Sequence, residues 1–171
     1  FDLENRAPAT LAELEAYGEG TSAALLWLTA ESLGAPGAAT RAALTPLGIA
    51  WALTGLIRAT PFLARARRRY IPEEIARNAG LTESALFALK DNAALSRAVA
   101  DLAERATQRL DEAEAQRAAV EPAARPLLLF VPLARAYLAR LARRGHRVFD
   151  GGAELSPTRK VLRLWWAARF G

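Results

Sequence analysis

The sequence predicts an all-α protein. Three observations carry that expectation. Every stretch of regular hydrophobic periodicity has the helical period, and no strand-type alternation runs longer than chance. Glycine and proline clusters divide the chain into long and short helical blocks. Within the second block Leu44, Leu47, Trp51, Leu53, Leu56 and Ile57 cover most of the helix circumference, which marks a central, buried helix. The helices are too long and too apolar for a simple four-helix bundle.

The first helix is expected from Thr10 to Leu33, opened by a capping box of Thr10 and Glu13 and stopped at Gly34. Gly18 and Gly20 interrupt it at about 1 kcal/mol each relative to alanine, so they point to a close approach by another helix or by a ligand. Gly34, Pro36 and Gly37 break the chain. The second helix runs from Ala38 to Arg58, with a kink at Pro46 and an end or second bend at Pro61. Pro72, Glu73 and Glu74 open a short helix that stops at Gly80, with acids at the positive end of its dipole. Thr82 and Glu83 start another. From Asn92 to Val120, Val99, Leu102, Ala106, Leu110 and Ala113 form one apolar stripe. Pro122 and Pro126 break the chain before a helix from Leu127 to Arg144, bent at Pro132. After the loop GHRVFDGGAELSPT, a last helix spans Arg159 to Phe170.

At 171 residues the chain suits one domain with a real core. Hydrophobic residues make up 52% and charged residues 24%, and the net charge is +5. No nucleic-acid-binding motif accompanies that charge, so no nucleic-acid partner is expected. There is no cysteine, which excludes disulfides and thiolate metal sites, and the single histidine, His146, excludes a histidine-based metal site. No signal-peptide pattern is recognised, and the longest uninterrupted apolar run, Leu127 to Ala134, is far below the roughly 20 residues of a spanning helix. The chain starts at Phe1 and contains no methionine, so we expect it to be a piece of a longer protein.

The ordered pattern YGEGTSAALLWLTAESLG followed by LGIAWALTGLIRATPFLARARRRYIPEEIARNAG resembles the squalene/phytoene synthase family, with matching spacing from Leu11 to Gly80 and a looser fit beyond. The resemblance implies an isoprenoid (terpenoid) synthase-like helical bundle. It also implies that residues 1–171 form one partial domain, about the C-terminal two-thirds, with the N-terminal helices outside this chain. Active members hold magnesium against a prenyl diphosphate with two aspartate-rich motifs, the first of which would precede Phe1. The second follows an Asn-Ile-Leu-Arg helix end and precedes a Gly-Arg-x-Tyr-Leu-Pro stretch. Alignment on Arg58 and on Tyr70, Ile71 and Pro72 needs no gap, and it places Ala59 and Leu63 at the two aspartates. Phe62 falls at an acidic position, Gly55 at the asparagine and Ala52 at a usual glutamine. Magnesium takes hard oxygen ligands, and ionising an allylic diphosphate requires its charge to be neutralised. The metal half of the motif is therefore degenerate, and no catalytic residue, no metal and no cofactor is expected. LEAYGEGTSAALLWLTAESLG, IRATPF and RRRYIP resemble the family's complex I assembly factor branch most. The arginine and alanine richness suggests a bacterial member.

The implied function is that of a non-catalytic scaffold in respiratory complex I biogenesis, with a complex I subunit or assembly intermediate as protein partner and a lipid, an isoprenoid or a membrane surface as further partners. The implied location is cytoplasmic, peripheral to the inner membrane, or the matrix side if the source is eukaryotic. The alternative is a magnesium-dependent prenyltransferase that joins two prenyl diphosphates. A half-covered bundle is also expected to self-associate. Arg58, Arg65, Arg67, Arg68, Arg69 and Tyr70 are the candidate anion or partner contacts, since guanidinium forks suit planar oxyanions; a solvated charge run is the other reading. Tyr17 matches a pocket tyrosine of the synthases, but Gly18, Glu19 and Gly20 depart from their pattern, so a structural role is expected. Glu15 and Glu19, one turn apart, are read as a solvated face, with a relocated metal pair as the alternative. His146 is read as a solvated loop residue. Trp165 and Trp166 are expected to dock into the core, with a membrane-surface helix as the alternative.

Overall fold

The structure is a computed structural model, and it describes residue 4, residues 6–150 and residues 156, 158, 161, 162, 165, 166 and 169. Among the described residues there are helices and no strands. The first long helix is interrupted: α1 (Leu11–Gly18) passes through a π-helical turn (Glu19–Ala23) into α2 (Ala24–Ser32). Thr10 caps it by accepting from Glu13 N–H, and the Glu13 carboxylate reaches back to Ala9 N–H, one residue beyond the expected box. The central helix α3 (Ala38–Arg65) extends seven residues past the expected end at Arg58, because Pro61 is accommodated inside it. It closes in a Schellman turn, in which Arg68 N–H donates to Leu63 O and Arg67 N–H to Ala64 O. Arg67 takes the left-handed conformation there (φ 55°) where glycine is usual, so the sequence carried no stop signal.

The short helices α4 (Glu73–Ala79) and α5 (Glu83–Phe87) follow, with Gly80 at φ 69° ending α4 as expected. The long amphipathic α6 (Ala93–Ala115) is capped by Asn92, whose side chain accepts from Leu95 N–H. Pro122 and Pro126 do not simply break the chain. They sit inside a 3-10 stretch (Pro122–Leu129), and α7 (Phe130–Arg143) starts only after it, with Pro132 in its first turn rather than at a mid-helix bend.

Helix α3 is the hub, packed most extensively on α6 and also on α1, the π turn, α2 and α7. By length and composition α3 could cross a membrane, although no uninterrupted apolar run marks it; within this fold it is the core helix, with Leu44, Leu47, Leu53 and Ile57 at 2% exposure or less. The close approach expected at the first helix is real at Gly18, where an added Cβ would stand 3.1 Å from Ala52 Cβ. It is tighter on the partner side: a Cβ at Gly48 would lie 2.3 Å from Ala23 Cα. Gly20, by contrast, faces open space. The start of α3 is held by a residue from far along the chain, since Glu121 accepts from Gly37 N–H (2.7 Å) and from the Thr40 hydroxyl (2.9 Å).

Candidate functional site

Helix α3 carries the site through its helical spacing. Gly55, Ala59, Phe62 and Leu63 stand at i, i+4, i+7 and i+8 and share one face. That face is open: Gly55 has nothing within 4 Å of a built Cβ, and Phe62 is 69% exposed. Alanine, phenylalanine and leucine carry no side-chain oxygen, so this face does not fit a magnesium ion. Among the described residues no cluster of three or more histidine, aspartate or glutamate side chains is placed to hold a metal.

The aromatic and cationic residues fall into two groups. In the first, Tyr17 from α1 and Tyr70 from the segment after α3 meet with ring centroids 5.9 Å apart, and the Arg68 guanidinium lies 5.7 Å from the Tyr70 ring. In the second, Arg58 sits over the ring of Tyr137 on α7 at 4.0 Å. The other cations diverge. Arg67 lies 5.2 Å from the Phe87 ring, Arg69 pairs with Glu83 at 3.3 Å, and Arg65 is exposed at the last residue of α3. The run is thus neither one uniform grip nor a plain solvated face, because three of its guanidiniums rest on rings. Tyr137 and Phe87 escaped sequence reasoning: nothing in ARAYLARLARRG or ESALF signals that a distant arginine will stack there.

Several other expectations are corrected by packing. Glu15 is buried, not solvated, and is not paired with Glu19, which is exposed. Its carboxylate receives Arg105 Nε (2.6 Å) and Nη2 (3.1 Å) and Arg109 Nε (2.9 Å) and Nη2 (2.8 Å) from α6. Burial pushes the Glu15 carboxyl up, but the hydrogen bonds and charges of Arg109 and Arg105 outweigh it and hold it at about 2. His146 is half-buried at φ 58°, and burial lowers its pKa below the usual 6.5. Of the last predicted helix, Val161, Leu162, Trp165, Trp166 and Arg169 are helical, as is Thr158 just before its expected start, and the rest of it lies outside the described residues. Trp165 (59%) and Trp166 (63%) are exposed and are not docked in the core.

Comparison with known proteins adds to this geometry. A family model described as squalene/phytoene synthase matches residues 1–165. NADH dehydrogenase (ubiquinone) complex I, assembly factor 6 of Rattus norvegicus is 26% identical over 172 residues, covering 99% of this chain and 52% of that protein. The Homo sapiens protein of the same name is 25% identical over 164 residues, covering 96% and 49%. The chain thus spans about half the length of the curated relatives it matches. Among solved structures, a dehydrosqualene synthase in complex with ligand superposes with a TM-score of 0.83 at 20% identity, over 99% of this chain and 60% of that one. Squalene synthase HpnC from Alicyclobacillus acidocaldarius gives 0.77 at 20% identity, over 85% and 56%. These two share the fold with this chain.

Proposed function

Because the chain belongs to the squalene/phytoene synthase family, we propose that it is a non-catalytic member, a scaffold that binds a protein partner during assembly of respiratory complex I. One observation carries the proposal. Helix α3 keeps Arg58 and leads into the RRRYIP segment, yet presents Ala59, Phe62 and Leu63 where a diphosphate-ionising site needs carboxylates. Fold alone does not fix function, so the synthase architecture gives no argument for turnover. The name of the mammalian relatives supplies the process. The working place would be the membrane surface on which complex I is built, reached as a peripheral protein.

The test has two arms. Deletion of the gene in its source strain is expected to lower complex I activity, with recovery on complementation. Calorimetry of the full-length protein with geranylgeranyl diphosphate and magnesium is expected to show no binding that EDTA abolishes. Tight, EDTA-sensitive binding with turnover would replace the scaffold by a prenyltransferase. Unchanged complex I activity in the deletion strain would remove the assembly role.

A further inference from the structure

Two ring contacts fix how α3 and α7 lie. Trp51 meets Phe130 with centroids 4.8 Å apart, and Arg58 covers Tyr137 at 4.0 Å. Both partners advance by seven residues between the two contacts, so the helices run parallel and in register. Two further turns, about 10 Å on, bring Arg65 level with Arg144 at the C-terminal ends of both helices. The register therefore places Arg58, Phe62 and Arg65 on α3 beside Arg140, Arg143 and Arg144 on and just after α7. The sequence run from Arg65 to Arg69 is only half of a basic end whose other half comes from α7.

Three properties of this end are unlike a plain solvated charge run. Arg65, Arg140 and Arg143 have no carboxylate partner among the described residues, and Arg140 Nε is buried without a hydrogen bond. Arg58 and Arg67 rest on Tyr137 and Phe87, which orders their guanidiniums before anything binds. Phe62, 69% exposed, stands on the same stripe as Arg58 and Arg65 and adds an apolar contact between them.

We propose that the paired α3 and α7 ends form a docking surface for an acidic segment of a partner protein. This rests on the partner-binding reading above and adds where, and to what chemistry, the partner attaches. Ordered arginine forks donate bidentately to carboxylates. Arginine and aromatic residues are what protein interfaces concentrate, whereas lysine is depleted in them. The chain's only lysines, Lys90 and Lys160, fall outside both arginine clusters. A bilayer headgroup layer attracts charge without needing orientation, so ordered forks favour the protein segment.

The experiment measures fluorescence anisotropy of a short labelled helical peptide rich in glutamate and leucine, titrated with the full-length protein. Two paired variants, Arg58→Gln with Arg65→Gln and Arg140→Gln with Arg143→Gln, are compared with Arg117→Gln with Arg125→Gln. That last pair lies by the 3-10 stretch at the opposite end of the bundle and removes the same charge. Melting curves confirm that each variant folds. Each of the first two pairs should weaken binding about tenfold or more, while the control stays within about twofold. Equal losses in all three would mean unspecific charge and overturn the proposal. So would binding to phosphatidylglycerol vesicles in place of the peptide, or displacement of the peptide by inorganic pyrophosphate. Loss of this surface would leave the complex I deletion phenotype in place, and an unaffected deletion strain would leave peptide binding in place, so the two failures are distinguishable.

Discussion

Replacing Glu15 by glutamine removes one negative charge from a site built around it. The carboxylate is 11% exposed and receives four hydrogen bonds of 2.6–3.1 Å from Arg105 and Arg109, themselves 28% and 22% exposed. An exposed ion pair is worth about 0.2–1 kcal/mol, and breaking a fully buried one costs about 3–5 kcal/mol. Glu15 sits nearer the buried limit and its arginines nearer the surface, and the substitution leaves two guanidiniums side by side. We expect a loss of about 2–3 kcal/mol. For a chain of this size that lowers Tm by roughly 4–12 °C. The sign of the pH dependence follows from the depressed pKa. The Glu15 carboxyl lies at about 2 against an ordinary 4.5, so its stabilisation is complete above 4.5 and is lost as pH falls toward 2. Thermal and urea unfolding of the wild type and Glu15→Gln should therefore differ by a constant amount from pH 5 to 8 and converge below pH 4.5. A loss under about 0.5 kcal/mol at neutral pH, or a gap that does not narrow in acid, would refute the reasoning.

Three further outcomes are expected. Gly48→Ala should destabilise by about 3 kcal/mol in urea unfolding, because the new Cβ meets the Ala23 backbone at 2.3 Å and no flexible side chain can yield. Glu121→Gln should cost about 1–2 kcal/mol, since it weakens the acceptor that holds Gly37 N–H and the Thr40 hydroxyl at the start of α3; a stability equal to wild type would mean α3 starts without that cap. The His146 ring should titrate below 6.5 in NMR, because burial disfavours its charged form, so His146 withdraws stability as pH falls below 6.5; a midpoint at or above 6.5 would count against its burial.

The sequence by itself determined the all-α class, the capped start at Thr10, the helix starts at Thr82 and about Asn92, the stop at Gly80 and the absence of carboxylates at Ala59, Phe62 and Leu63. These are local facts, written in residue identity and helical spacing. Local signals failed where a distant element set the outcome. Pro61 looked like an end or a second bend because proline lacks the N–H donor, but the packing around α3 carries the helix on to Arg65, after which Arg67 takes the turn that glycine usually takes. Glu15 looked solvated because two acids one turn apart, Glu15 and Glu19, usually share a solvated face; α6 brings two arginines onto it from 90 and 94 residues away. The tertiary structure alone set α3 and α7 in parallel register and put Tyr137 under Arg58. Helix spacing fixes which side chains share a face, whereas the partner of that face depends on how helices cross, and no local pattern encodes the crossing.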